Sequence, residues 1–216
     1  MSGATSTVDA TCAGCSGACC HAYRVPVNWT DVQRLCRGLH VPVEKVAGFL
    51  AVEPGDRGAI RLDDSGQRHS LHLRRRETDG GCRLLVRLPD GTERCSVYEH
   101  RPTLCRTYPA SLRGRVALRE DHVCPPHLCG FLDTPAETWW AALWQSEAEW
   151  TVYDAVTAEW DRRAGPEPAT PATCFAWLDA VYEQAGPLLA GFDPVARSEE
   201  LPQLAERAAA VAAAAT

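Results

Sequence analysis

The first amphipathic pattern in the chain predicts a helix near residue 30. Thr30-Asp31-Val32-Gln33 has the form of a capping box, in which two side chains satisfy the open backbone amides of a helix start. The apolar residues that follow at helical spacing are Val32, Leu35, Cys36 and Leu39. Gly38 and Pro42 bound this helix, and a second short helix is expected over residues 43–52.

The middle of the chain has the period of two that is typical of strands. Leu71 and Leu73 alternate with polar residues, and residues 84–88 and 94–98 flank the turn Pro89-Asp90-Gly91. We therefore predict β-structure over residues 58–120, with a further strand at 115–120. In the simplest register of the hairpin, Cys82 and Cys95 are not directly opposite.

Helical spacing returns after residue 130. Thr134-Pro135-Ala136-Glu137 combines an N-cap, a proline at the first helical position and a glutamate at the third. A long Trp-rich helix follows, then a Pro/Gly linker at 164–170, a helix ended by Gly186-Pro187, and a weakly amphipathic tail after 198. The pattern predicts an α+β fold in three regions: a disordered lead (1–11), a cysteine-cluster domain (12–130) and a helical region (131–216).

Composition narrows the function classes. A net charge of −6 argues against an overall basic surface, so no nucleic acid is expected. No apolar run approaches the ~18 residues of a membrane helix, and the first residues lack the features of a secretory signal. We expect a cytoplasmic protein that does not associate with membranes, and its oligomeric state stays open. Eleven cysteines in a reducing compartment favour metal or redox chemistry over a disulfide scaffold.

The cysteines fall into two groups whose spacing suits metal ligands. Two cysteines separated by two residues can wrap one metal ion, and small glycines let the backbone fold tightly around it. Because adjacent side chains diverge, neighbouring cysteines more easily serve different metals, or one binds and one packs. The first group is Cys12, Cys15, Cys19 and Cys20, and the second is Cys82, Cys95 and Cys105, with Cys124 and Cys129 shortly after it.

The remaining candidates are weaker. Cys36 and Cys174 lie on apolar helical faces and are expected to pack in the core, whereas Cys129 could be a ligand or a packing residue. The histidines that could add a ligand are His21, His100, His122 and His127. Arg101 and Arg106 flank Cys105, where cations and hydrogen-bond donors would offset the charge of bound thiolates.

This cysteine series resembles the YkgJ-type cysteine-cluster family, which is described as zinc- or iron-chelating. The resemblance rests on C-x2-C-x3-CC, a single Cys, C-S-x-Y-E-x-R-P-x-x-C-R-x-Y-P and a final Cys-Pro, over roughly residues 12–126. The loop between Cys82 and Cys95 is slightly longer than is usual in the family. The resemblance places Tyr98, Arg101 and Arg106 at the cofactor. It implies eight cysteine ligands, which are Cys12, Cys15, Cys19, Cys20, Cys82, Cys95, Cys105 and Cys124. The same type of pattern is present in the flagellin lysine N-methylase, so an enzymatic role is open.

The residues favour iron, above all an iron–sulfur cluster such as 4Fe-4S, over zinc. Arg101 and Arg106 flank Cys105, where their charge suits a cluster. The chain also lacks the two C-x2-C motifs that are typical of a zinc ribbon. The expected role is electron transfer or cluster-assisted chemistry on a small molecule or a protein side chain. The alternative is a structural zinc module whose Trp-rich C-terminal helices bind a protein partner.

Overall fold

The computed structural model describes residues 17–63, 65–124, 130–163 and 169–215. The predicted disordered lead, Cys12, Cys15, His127, Cys129 and most of the linker lie outside these residues. The described elements are α1 (Ala18–Ala22), α2 (Trp29–Leu39), α3 (Val43–Val46), β1 (Ala47–Val52), β2 (Ile60–Arg61), β3 (Arg68–Leu73), β4 (Leu85–Arg87), β5 (Glu93–Cys95), a 3-10 helix (Tyr98–His100), α4 (Thr103–Thr107), β6 (Ala110–Leu112), β7 (Val116–Leu118), α5 (Ala136–Arg163), α6 (Pro171–Ala190), a 3-10 helix (Ser198–Glu200) and α7 (Leu201–Ala214).

Short antiparallel strands form three small sheets. The largest has the order β1-β3-β2, with Ala47 opposite Leu73 and Phe49 opposite Leu71, and β4-β5 and β6-β7 are separate hairpins. The predicted strand around Leu71, the hairpin and the strand within 115–120 are confirmed. In the β4-β5 hairpin Leu85 is the partner of Cys95, so the prediction that Cys82 does not face Cys95 is also confirmed. The fold is α+β, as expected.

Several predicted boundaries are wrong. The N-cap of α2 is Asn28, whose side chain accepts a hydrogen bond of 2.9 Å from the amide of Asp31, so the helix begins before the predicted box and runs through Gly38. Residues 47–52 are a strand, because β3 offers this segment a complete antiparallel partner. Tertiary pairing of this kind overrides local propensity. Residues 98–107 are mostly helical rather than β. Helix α6 continues through Pro187 to Ala190.

The helical C-terminal part packs on the sheet and on α2. One hydrophobic cluster joins Trp29 of α2 and Leu71 of β3 to Tyr153 of α5 and Leu178 of α6. The same cluster includes Cys82, Leu84 and Leu85 from the cysteine-rich part of the chain. Polar contacts add to this packing: the indole of Trp160 donates to the backbone oxygen of Arg61 at 2.9 Å. None of the described helices combines the length and apolar character that a bilayer crossing requires.

Candidate metal centre

Helix α1 carries the two adjacent cysteines, Cys19 and Cys20. It starts after Gly17, whose φ of 73° lies in the left-handed region that glycine adopts without strain. A Cβ at this glycine would stand 3.1 Å from a methyl carbon of Leu85, so the backbone packs closely on the β4-β5 hairpin. The turn therefore sets both thiols beside the hairpin that ends at Cys95.

Backbone contacts tie Cys82 to α1. The amide of Cys82 donates to the backbone oxygen of Cys20 at 2.8 Å. The guanidinium of Arg75, which pairs with Cys82 through a β-bridge, donates to the backbone oxygens of His21 and Tyr23 just beyond Cys20. These bonds satisfy carbonyls at the end of α1 and hold Cys82 at a constant distance from Cys20.

Helix α4 carries Cys105, whose thiol is the fifth in this region after those of Cys19, Cys20, Cys82 and Cys95. Pro102 precedes the helix and favours the extended conformation of Arg101. One cavity of about 370 Å³ is lined by cysteines from four separate segments, together with Arg101, Tyr98 and Tyr108. Those cysteines are Cys19, Cys20, Cys82, Cys95 and Cys105. A smaller cavity of about 120 Å³ is lined by four of the same cysteines and by Tyr23, Arg24 and Arg119.

Tyr108 links Cys124 to this region. Its hydroxyl oxygen accepts hydrogen bonds from the amides of Val123 at 2.6 Å and Cys124 at 3.2 Å, and its ring packs 5.5 Å from that of Tyr23. Burial raises the pKa of the Tyr108 hydroxyl, so it remains protonated at neutral pH. Cys124 is itself buried, and Tyr108 contributes to the walls of both cavities.

Burial disfavours the charged form of two thiols of the cavity, those of Cys82 and Cys105. Burial raises the pKa of the Cys105 thiol well above its ordinary value, and the nearby Cys19, Cys82 and Cys95 raise it further. Burial also raises the pKa of Cys82, although the amide of Leu84 and two arginines oppose the rise. A metal ion reverses this balance, because it binds thiolates and releases their protons.

Arg101 lines the larger cavity, whereas Arg76 lies near it and is paired with Asp79. The Arg101 side chain is 4% exposed, stacks 3.9 Å over the ring of Tyr98 and donates to the backbone oxygen of Tyr98 at 3.0 Å. Arg76 donates to the backbone oxygen of Leu85 at 2.6 Å and lies 3.7 Å from Glu93. Arg106 differs, because it donates to the backbone oxygen of Glu99 at 2.8 Å and its Nε is buried without a partner among the described residues.

Of the histidine candidates in the described ranges, His21 and His122 have other polar partners. His21 Nε2 lies 2.6 Å from a carboxylate oxygen of Glu93, and His122 Nδ1 lies 2.6 Å from the backbone oxygen of Arg119. His100 packs against α2. Of the cysteines expected to pack, Cys174 is buried in the core and Cys36 is half-buried against it.

The donor set fits a thiolate-bound metal in its chemistry, and its thiols border one cavity. Five thiols border one cavity, and the backbone around them is held by hydrogen bonds. Within the described ranges, no three His, Cys, Asp or Glu side chains are arranged so that they could already hold one ion. Closing on a metal therefore requires thiols to rotate inward about their Cα–Cβ bonds, with Cys12 and Cys15 as further candidate ligands.

Sequence reasoning missed three residues of this region. Tyr108 belongs to the R-x-Y-P part of the motif, so its position was a usable signal for its role beside Cys124. Arg75 and Arg76 belong to a run of three arginines that resembles an ordinary solvated surface. Their contacts with α1 and the hairpin arise only from the tertiary fold.

Comparison with known families identifies the cysteine-rich part. The model of the CxxCxxCC family, described as "Putative zinc- or iron-chelating domain", matches residues 11–130, which is more than half of the chain. Searches of curated proteins and of solved structures gave no significant match. The family match spans every cysteine that lines the two cavities.

Proposed function

Because the chain belongs to the CxxCxxCC family of metal-chelating domains, we propose that it binds iron through its cysteines, as an iron–sulfur cluster. The observation that supports this proposal is the single cavity bordered by five thiols from four segments. With Cys12 and Cys15, these residues would hold the group. Cys124 would complete the eight-cysteine set through its contact with Tyr108.

The size and charge of the cavity favour a cluster over one zinc ion. A structural zinc site is a closed tetrahedron of four ligands at about 2.3 Å, which leaves little space inside. A cavity of about 370 Å³ has room for several metal and sulfide atoms. Arg101, which lines the cavity, would offset part of the negative charge of a thiolate-bound cluster, which suits iron–sulfur chemistry.

The bound cluster would supply one-electron transfer or a Lewis-acidic iron. The residues of the chain would bind it, shield it and adjust its potential. Leu73, Leu84, Leu85 and Val97 line the same cavity and would exclude water from it. We propose a cytoplasmic role in electron transfer or in cluster-assisted modification of a small molecule or protein side chain.

Metal analysis of anaerobically purified protein tests the proposal. We expect stoichiometric iron and acid-labile sulfide, with a broad charge-transfer band near ~400 nm that bleaches on reduction with dithionite. Colourless protein with stoichiometric zinc would contradict the cluster. Less than about a tenth of an equivalent of any transition metal, with all thiols reduced, would contradict metal binding itself.

A matched pair of variants tests the site. Cys105 and Cys174 are both helical cysteines, half-buried and buried respectively, yet only Cys105 borders the cavities. Cys105→Ser should lower metal content and stability together, since metal-binding free energy is also folding free energy. Cys174→Ser should keep its metal and lose only about 1–2 kcal/mol of stability, as ordinary core changes do. Equal metal loss in both variants would show that the cavity is not the metal site.

The second candidate is a zinc module that binds a protein partner. The observations that favour it are accessible apolar side chains before and within the first turns of α5. Leu132 is 72% exposed, and the half-buried Trp140 and Trp144 form an edge-on pair with ring centroids 5.7 Å apart. Exposed apolar groups of this kind are typical of interaction sites. Zinc-loaded protein that associates through these side chains, and loses association in Trp140→Ala, would favour this candidate.

A further inference from the structure

A polar groove lies between α2 and His100, outside the cysteine cavities. Its volume is about 530 Å³. Besides Gly38, its lining consists of Thr30, Gln33, Arg34, Arg37, His40 and His100. Each of these six side chains can donate a hydrogen bond, and none is a carboxylate. The groove is thus a surface of donors without an acidic group in its lining.

The imidazole of His100 sits directly on the backbone of α2. A Cβ at Gly38 would lie 2.2 Å from Cδ2 and 2.7 Å from Nε2 of this ring, so only glycine admits it there. Glycine lowers the stability of a helix interior, so the close approach of the His100 ring to α2 comes with a loss of helix stability at Gly38. The ring nitrogens of His100 have no hydrogen-bond partner in the described ranges, which leaves them available to a ligand.

The positive charges of the groove are unevenly compensated. Arg34 donates to Asp31 and Glu149 at 2.9 Å each, so two carboxylates share its charge and fix its position. The guanidinium of Arg37 has a neutral partner, the amide oxygen of Gln33 at 3.4 Å. The hydroxyl of Thr30 is buried without a partner in the described part of the chain. The groove therefore offers the uncompensated cation of Arg37 and the imidazole of His100, and the Thr30 hydroxyl could donate after rotating toward the groove.

We propose that this groove binds a phosphate group, either inorganic phosphate or the phosphate of a small molecule. Guanidinium, imidazole and hydroxyl donors together suit a tetrahedral oxyanion. The site adjoins the cysteine cavity, because Arg34 donates to the backbone oxygen of Arg101 at 3.4 Å and the Arg101 side chain lines that cavity. A phosphorylated ligand held here would lie beside the metal centre.

Calorimetric titration of the full chain with inorganic phosphate and with phenyl phosphate, at ionic strength held constant with sodium chloride, tests the site. We expect saturable binding with a dissociation constant of about 1 mM or tighter. Tighter binding of phenyl phosphate would identify a phosphomonoester as the ligand, and equal or weaker binding would identify inorganic phosphate. No saturation by either anion overturns the proposal.

Two variants and one control locate the binding. Arg37→Met and His100→Gln should each weaken phosphate binding about tenfold, the usual effect of losing a hydrogen bond to a charged group. Arg113→Met removes an exposed arginine from a distant hairpin, so it should bind phosphate as the wild type does. Equal weakening in Arg113→Met would mean nonspecific charge attraction and overturn the site. Metal content reports on the proposed function separately: loss of phosphate binding with metal retained refutes only the groove.

Discussion

Arg101 and Arg106 flank the same cysteine, yet their guanidinium groups lie in different surroundings. Arg101 is buried, stacks on Tyr98 and borders the cavity, whereas Arg106 reaches back to the backbone oxygen of Glu99. A cation that borders thiolates stabilises their charge directly, and its effect falls with distance and solvent screening. The two arginines should therefore contribute unequally to metal binding.

Arg101→Met should weaken metal retention about 10–100-fold, because it removes charge and donors from the cavity wall while keeping an apolar stem. Arg106→Met is the matched control and should retain metal nearly as the wild type does. Loss of metal under chelator challenge, measured against time, gives the comparison, and thermal melting checks that both variants fold. Faster loss from Arg106→Met than from Arg101→Met would contradict this assignment of roles.

At the residue scale, the cysteine motif could be recognised in the sequence, but the sequence did not show which cysteines line the same cavity. Adjacent Cys19 and Cys20 were expected to diverge, and both border the same two cavities because a short helix turns them toward the space between the hairpin and α4. His100 was a candidate ligand by its neighbours in the sequence. Its position depends on the contact with Gly38, which only the packing of α2 against the 3-10 helix determines.

At the scale of elements, a buried ionic contact joins α2, α4 and α5. Asp31 is fully buried and accepts a hydrogen bond of 2.8 Å from the amide of Thr103, the first residue of α4. Arg34 bridges Asp31 to Glu149 of α5. Two carboxylates thus share one guanidinium, and this arrangement caps the helix that carries Cys105.

The pH dependence of stability should reveal this contact. Burial, with the nearby Glu149, raises the pKa of Asp31 from its ordinary 3.8 to about 7, although Arg34 and the amide of Thr103 oppose the rise. Between these values the folded state binds more protons than the unfolded state, so the Asp31 contribution to stability falls as pH rises from about 4 to about 7. In Asp31→Asn this contribution is absent.

Urea unfolding of both proteins at several pH values between 5 and 8 provides the measurement. The wild type should lose stability relative to Asp31→Asn as pH rises, by at most about 1.4 kcal/mol per pH unit, and the difference should level off above pH 7. Asp133→Asn changes an exposed carboxylate and should track the wild type. A constant difference between wild type and Asp31→Asn would mean that Asp31 is ionised throughout this range.

Helices and strands with a strong local sequence pattern could be predicted, whereas elements that form only by pairing with a distant segment could not. The alternation at Leu71 and Leu73 and the turn at Pro89-Asp90-Gly91 gave the right strands. Residues 47–52 read as helix because nothing local shows that β3 will pair with them. The N-cap at Asn28 was missed because Thr30 offered an equally plausible box two residues later.

At the scale of the whole molecule, the cysteine-rich part and the C-terminal helices share one hydrophobic cluster. Cys82 and Leu85, which border the metal cavity, belong to the same cluster as Val152 and Tyr153 of α5. The sequence places a boundary near residue 130, where the composition changes. A continuous core across that boundary implies that the two parts unfold together, because neither can expose its share of the cluster without cost.

Metal removal tests this cooperativity. If the chain unfolds as one unit, the free energy lost with the metal should appear equally at amides near the cavity and at amides of α5. Native-state hydrogen exchange, with and without a chelator, should therefore show the same fall in protection at Leu85 and at Val152, although Val152 lies outside the family match. Amides that exchange by local opening, such as that of Gly114 in the β6-β7 turn, should not change. If protection falls at Leu85 and stays constant at Val152, the parts unfold separately and the boundary near residue 130 divides two independent units.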